Sequence, residues 1–405
     1  MADDAFRRID ALVQVGMRLA RSAPSGRVLL ARIHAGIDPD WIPRPWGDTI
    51  AAELQAAADA ASEPIETRRV ERELREAWGG RPTDELDELD LDPVAVTPTA
   101  QVHRGILDGN PVAVKVLRPG LARTVRQDLA VVEGLLSPLA SAFPVLDTRA
   151  IVQEFRARVL DELDLEHEAG VQRRFHRALR GHPFLSVPEP ITRLSHEAVL
   201  VSEWVDGVPL WRADDPDRAA AQLVVFAIGS ARWGVVHADL HPDDVLVLGD
   251  GRLAILDFGA TRAVVPARLD ATAAALEAFA GGDEAAFAAA VAELGWLPAE
   301  RAPDAIGLAR HALADLAGPE PSRLDSAAVV DARERLLAAP EALTRVIRSG
   351  ALSAEDLWPA RGVAQLFASI ARVGATGPWL ELARAALHHG WDAKLGSAIV
   401  SDEII

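Results

Sequence analysis

Apolar positions change their period several times along the chain. Between residues 5 and 35 they fall at helical spacing, at Phe6, Ile9, Leu12, Val13, Met17, Leu19, Leu29 and Ile33, and predict two helices separated at Ala23-Pro24-Ser25-Gly26. Asp38-Pro39-Asp40-Trp41-Ile42-Pro43-Arg44-Pro45 reads as a turn or extended link, followed by a helical zone from Asp48 to about Trp78 that breaks near Ser62-Glu63-Pro64. From Asp92 the runs shorten. Val94–Val96, Gln101–Ile106 and Val112–Leu117, divided by Thr97-Pro98-Thr99 and Asp108-Gly109-Asn110-Pro111, predict three antiparallel strands. A long helix is predicted from Thr148 to about Leu179, then strand-like runs at Phe184–Val187 and Ala198–Trp204, a turn through Gly207, and a helical region over Asp214–Gly234. Val245–Leu248 and Leu253–Leu256, joined by Gly249-Asp250-Gly251-Arg252, read as a hairpin. Beyond Gly259 the pattern is helical, over Pro266–Gly281, Asp283–Leu294, Asp304–Ala317, Asp325–Leu337, Pro340–Ile347, Ala354–Val373 and Pro378–Gly390.

These periods predict an α+β chain of three parts. Residues 1–91 form a helical extension, whose plain reading is packed helices with a solvated charged face. Residues 92–205 form a small β-rich lobe and residues 206–405 a helical lobe, the two-lobed arrangement of protein kinases. The strand that ends near Trp204 reads as the link between lobes. Backbone groups at such a link can pair with an adenine edge, and Glu203 is either a residue of that hinge or an ordinary strand acid.

Composition narrows the function classes. With 42 basic against 60 acidic side chains the 405-residue chain carries a net charge of −18, which argues against a nucleic-acid partner and against simple electrostatic attachment to anionic lipid. There is no cysteine, so disulfides and thiolate zinc sites are excluded. No run of about 18 apolar residues occurs, so no transmembrane segment is expected, and the acidic N-terminus is unlike a signal peptide. The expected location is cytoplasmic, with peripheral membrane contact left open. Only Lys115 and Lys394 are lysine, the other 40 basic residues being arginine, and a lysine retained against such a bias is more often one that arginine cannot replace.

The stretch from His237 to Gly259 concentrates the candidate chemistry. It reads H-x-D-x-x-x-x-D, then the hairpin, then Asp257-Phe258-Gly259, with acids at both ends of the hairpin. Phosphoryl transfer from a nucleotide uses such a set, one acid to orient or deprotonate the acceptor and further oxygens for Mg2+. The alternative is an acidic hairpin on a solvated surface. Lys115 lies at the centre of the predicted strand Pro111-Val112-Ala113-Val114-Lys115-Val116, sharing a face with Ala113 and Leu117. Either its side chain reaches out along an edge, or it contacts nucleotide phosphates and a carboxylate; the V-A-V-K pattern and the scarcity of lysine favour the second. The acid-rich segment from Asp161 to Glu168 offers carboxylate partners, and spacing alone does not choose among them.

With these motifs in order, residues 60–300 resemble the UbiB/AarF atypical protein-kinase-like family, associated with ubiquinone biosynthesis and lipid metabolism. The resemblance rests on Ala100-Gln101-Val102-His103-Arg104, Pro119-Gly120 with Asp128-Leu129, Glu162-Leu163-Asp164-Leu165-Glu166-His167-Glu168-Ala169, His237-Ala238-Asp239-Leu240-His241-Pro242, and Leu256-Asp257-Phe258-Gly259-Ala260-Thr261-Arg262. It implies an ATP-binding (or ADP-binding), Mg2+-dependent kinase or ATPase in which Lys115 pairs with Glu168. Asp239 would be the catalytic-loop aspartate, Asp257 the principal Mg2+ ligand, and Glu162 with Asp164 the E-x-D motif that restrains the site. A lipid or other small-molecule acceptor and a protein partner are further implications.

Several positions depart from the family pattern. Asp244 stands where the family has asparagine, and an aspartate there still suits Mg2+. The alanine-rich loop over the nucleotide is reduced to Ala95-Val96-Thr97-Pro98, and the K-x-G-Q signature is replaced by Leu30-Ala31-Arg32-Ile33. Transmembrane helices, common at the end of family members, are not expected here. These departures feed a second reading, a pseudokinase that binds nucleotide as a switch or scaffold. A third, an aminoglycoside- or choline-kinase-like phosphotransferase, shares H-A-D-L-H-P, but the E-x-D segment and Gln101-Val102-His103 favour the UbiB type.

Overall fold

The structure, a computed structural model, describes residues 51–126 and 148–394 apart from 53, 58, 60–62 and 352. The helices expected at residues 5–35, the link at 38–45, Leu30-Ala31-Arg32-Ile33 and Asp128-Leu129 lie outside the described residues. The chain divides into two compact units. The first comprises Met1–Leu136, Phe155–Gly207 and Ala254–Ala260, and the second Ser137–Glu154, Val208–Leu253 and Thr261–Ile405.

The first unit is built on an antiparallel sheet. Strands β1 (Glu88–Leu89), β3 (Ala100–Leu107), β4 (Asn110–Leu117) and β6 (Val199–Glu203) lie in the order β1-β3-β4-β6, and β2 (Ala95–Val96) also pairs with β3; a separate short strand is β5 (Leu185–Ser186). The predicted strands are present, with β1 added. Asp108-Gly109 closes the β3–β4 hairpin with φ of 50° and 76°, the positive-φ pair of a two-residue turn that aspartate tolerates and glycine favours. The register this turn sets places Lys115 opposite Val102 on one side and Leu200 on the other.

Alternation along β4 divides two cores. Val112, Val114 and Val116 pack with Val70 and Leu74 of helix α1 (Thr67–Trp78) and with Val199 and Val201. The opposite face joins Leu117, Ala100 and Leu200 to Leu163, Leu165 and Ala169. Each fully buried side chain of this size contributes about 1.5–3 kcal/mol. Gln101 and His103, both wholly buried, link polar groups across the sheet's edge. The Gln101 side-chain carbonyl accepts from the Ile65 backbone N–H at 2.7 Å, its amide lies 2.8 Å from His103 Nε2, and His103 Nδ1 lies 3.0 Å from the Asp90 carbonyl. With the Gln101 oxygen occupied, its NH2 donates to Nε2, which leaves the proton of a neutral imidazole on Nδ1. Burial lowers the His103 pKa, consistent with that neutral form.

The single helix expected from Thr148 to Leu179 is two, α2 (Thr148–Asp161) and α3 (Leu165–Ala178). Leu163 and Leu165 are both buried in the sheet-facing core, whereas positions two apart on one helix point about 200° apart. Asp164 makes the break sharp: in extended backbone it accepts from the N–H groups of Glu166 and His167 at 3.1 and 3.0 Å, a helix N-cap.

The second unit is helical. In α4 (Pro216–Arg232) every residue from Ala219 to Ala231 except Ile228 is buried, and Asp215 caps it by accepting from Arg218 N–H. Around it lie α5 (Pro266–Gly281), α6 (Glu284–Glu293), α7 (Ala302–Leu313), α8 (Ser326–Ala338), α9 (Pro340–Ser349), α10 (Ala354–Val373) and α11 (Trp379–His389). Short strands interrupt the expected helical run. Val235–His237 pairs with Thr261–Ala263, and Ser322–Leu324 with Ala375–Gly377. Three-residue strands carry too short an alternation to register in a sequence pattern. No helix among the described residues is long and apolar enough to cross a membrane.

Candidate active site

The first unit brings together three of the predicted residues. Lys115 Nζ donates to both carboxylate oxygens of Glu168, at 2.8 and 3.0 Å, and to Asp257 Oδ2 at 2.7 Å. β4 supplies the lysine on the face that looks toward α3, α3 supplies Glu168 in the turn that Asp164 caps, and residues 254–260 supply Asp257. Glu168 is 2% exposed, and the Phe258 N–H points to its Oε1 at 3.4 Å. Asp257 Oδ1 accepts from Gly259 N–H at 2.9 Å, while Phe258 packs its ring against Phe175 at 4.9 Å, locking the D-F-G backbone onto α3.

The two acids share the Lys115 ammonium. Burial and the neighbouring Asp257 carboxylate push Glu168 up to about 7, against the pull of Lys115. Burial alone would lower Lys115; the two carboxylates overcome it and raise the ammonium above its ordinary value. Lys115 is therefore a fixed cation, and Glu168 is the member with a proton affinity near neutrality.

In the second unit Asp239 follows the strand Val235–His237. His237 is buried, its ring 6.0 Å from that of Phe226, and its Nδ1 accepts from Asp239 N–H at 3.3 Å. The Asp239 carboxylate accepts from Arg361 Nη2 at 2.8 Å and from Gln365 Nε2 at 3.0 Å. Neither partner was anticipated. R-G-V-A-Q on an alanine-rich helix of a chain with 40 arginines carries no distinguishing mark. Further along, Ser369 Oγ donates to the Leu240 carbonyl at 2.5 Å, and Arg372 lies 3.3 Å from His241 Nε2. His241 in turn hydrogen-bonds Asp243 and holds that carboxyl below its ordinary range.

The remaining predicted residues are placed as follows. Glu162 is buried beside Gly259, where a Cβ on the glycine would lie 3.7 Å from the Glu162 Cα. Glu203 ends β6 and its side chain accepts from Glu189 N–H at 2.8 Å. Ala95 and Val96 form β2, and Thr97 hydrogen-bonds Ala100 across the turn that follows. Asp244 closes a turn of 3-10 helix, Pro242–Asp244. Among the described residues no three His, Asp or Glu side chains converge as a metal cage. Asp244, in the second unit, and Asp257, in the first, each carry carboxylate oxygens, the donor type that Mg2+ accepts.

A strand lysine held by an acid of a neighbouring helix and by the aspartate of D-F-G is the arrangement of protein-kinase-like folds. Residues 57–291, more than half of the chain, match the ABC1 atypical kinase-like domain, and the chain belongs to that family, the UbiB/AarF group. Among its relatives, the Probable protein kinase UbiB of Marinobacter nauticus is 28% identical over 269 residues, 62% of this chain and 49% of that protein. An uncharacterized chloroplastic aarF domain-containing protein kinase of Arabidopsis thaliana is 32% identical over 273 residues, 64% of this chain and 38% of that protein. The chain thus spans less than half the length of these curated relatives. Among solved structures, the Rv3197-erythromycin complex from Mycobacterium tuberculosis shares the fold, with a TM-score of 0.63 at 23% identity, covering 94% of this chain and 97% of that one.

Proposed function

We propose that the protein binds ATP with Mg2+ and transfers its terminal phosphoryl group, to water or to a small-molecule acceptor such as a lipid or quinone precursor. The observation that carries this reading is the three-way contact of Lys115 with Glu168 and Asp257. In kinase-type sites the lysine contacts nucleotide phosphates while the acid of the helix fixes its position. Glu168 takes that part here. A phosphate oxygen would compete with Asp257 for Lys115, leaving the Asp257 carboxylate to a metal. Asp244 and Asp257 would hold Mg2+, which would screen the charge of the phosphates. Asp239 orients the acceptor hydroxyl or water. Residues 95–97 and 203 border the nucleotide, and Glu162 with Asp164 keep the α2–α3 corner in place. The test is thermal stabilisation and hydrolysis with MgATP and MgADP. Lys115→Ala and Asp257→Asn are each expected to remove both responses, and unchanged behaviour in the two variants would sink the proposal.

One observation favours a second reading, a binding protein for a bulky apolar molecule. The helical unit holds a cavity of about 640 Å³ lined largely by apolar side chains, including Leu269, Leu276, Phe279, Leu316, Val363 and Phe367. Its volume falls within the range of small-molecule pockets. The structural neighbour from Mycobacterium tuberculosis is a complex with erythromycin. Running the same thermal-shift assay with erythromycin in place of nucleotide separates the readings. A shift with the macrolide and none with MgATP favours the second.

A further inference from the structure

Helix α10 follows the catalytic loop residue by residue. Arg361 and Gln365, one turn apart, occupy the two oxygens of Asp239, Ser369 holds the Leu240 carbonyl and Arg372 reaches His241. Between the two Asp239 donors stands Gly362, where a Cβ would come within 2.5 Å of the His237 carbonyl oxygen, so helix and loop meet backbone to backbone. Both donors lie beyond residues 57–291, the part that matches the family domain.

The helix is packed and hydrogen-bonded along its length. Its first turn is anchored by Asp356, which takes Arg268 at 2.5 and 2.6 Å and Ser353 Oγ at 2.6 Å. Trp358, Leu366 and Ile370 are almost wholly buried, and the Arg361 guanidinium lies 5.4 Å from the centre of the Trp358 ring. Donors on each of its two oxygens fix the plane of the Asp239 carboxylate. Arg361 also opposes the repulsion that an unpaired, 19% exposed Asp239 would meet in this acidic chain.

We propose that Arg361 and Gln365 are positioning residues for the reaction, holding the Asp239 carboxylate in the orientation that receives the acceptor. This inference rests on the reading of Asp239 given above. The expected signature is a split between turnover and nucleotide binding, because both residues bond Asp239, the group read as receiving the acceptor, whereas Lys115 is the group read as holding the nucleotide. In MgATP hydrolysis, Arg361→Met should lower kcat by about 10- to 100-fold, the order seen when a reacting group is misplaced by an ångström, with KM for MgATP changed by less than about twofold. Arg361→Lys should recover part of that loss. Gln365→Leu, a milder change that keeps the charge pair, should lower kcat by roughly 3- to 10-fold with the same constancy of KM. Asp239→Asn is the control that separates the two ideas. If it abolishes hydrolysis while Arg361→Met and Gln365→Leu leave kcat unchanged, or lower nucleotide affinity as much as kcat, the positioning role is overturned and the reading of Asp239 stands. If the wild-type chain does not hydrolyse MgATP, or Asp239→Asn matches it, the reading itself fails and this inference fails with it. Should Arg361→Met not fold, Gln365→Leu and Arg361→Lys carry the test.

Discussion

The two carboxylate sites are held in opposite ways. At the Lys115 cluster one cation serves two acids, the members come from β4, α3 and residues 254–260, and one acid is 2% exposed. At Asp239 one acid is served by two donors, both from a single helix more than 120 residues away in sequence. In the first arrangement the carboxylates share one ammonium, which holds three chain segments together. The second has its acid matched by a guanidinium and an amide, which suits fixing a direction rather than recruiting charge.

The largest expected effect breaks the first half of that comparison. Lys115→Met removes the cation that Glu168 and Asp257 share, and removing one partner of a buried pair costs about 3–5 kcal/mol. Because Glu168 is pushed up to about 7, its preference for the protonated form stabilises the fold fully below the unfolded carboxylate range and is lost as pH rises through 7. Urea unfolding should therefore show the variant's deficit at pH 8 and a smaller deficit at pH 5; a deficit that is the same at both would contradict the charge argument.

A smaller effect tests the second half. Gly362→Ala forces a methyl against the His237 carbonyl, and overpacking of this kind costs about 1–3 kcal/mol. A lowered unfolding midpoint together with reduced MgATP turnover is expected, whereas full activity would mean that helix and loop need not meet so closely. The smallest effect lies in the sheet beneath Lys115. His103 is buried with its pKa lowered, so its contribution is present above the unfolded histidine range and lost as pH falls through the depressed folded value. The midpoint of the wild-type chain should drop more between pH 7 and pH 5 than that of His103→Leu, and equal drops would locate the acid sensitivity elsewhere.

Much of this was legible in the residues because it is local. The hairpin at Asp108-Gly109, the alternation that gives Lys115 a face of its own, and the succession of helices after Gly259 all depend on neighbours within a few positions. What misled was also local. Asp161 to Glu168 has helical composition, yet the sheet-facing core takes both Leu163 and Leu165 and so ends one helix and starts another. Glu168 was one of several acids by spacing, and it was singled out by resemblance to the family. The Arg361 and Gln365 contacts left no pattern at all, since an arginine and a glutamine one turn apart are ordinary on an exposed helix.

The sequence by itself determined which side chains are available: a retained lysine, an H-x-D aspartate, D-F-G and an acid-rich segment, in the order of a known family. Periodicity and motif spacing report what a residue does to its own backbone and near neighbours. Only the tertiary structure decided which acid grips Lys115 and what grips Asp239. Those pairings are set by where distant elements pack, through side-chain reach and burial that no short stretch of chain encodes.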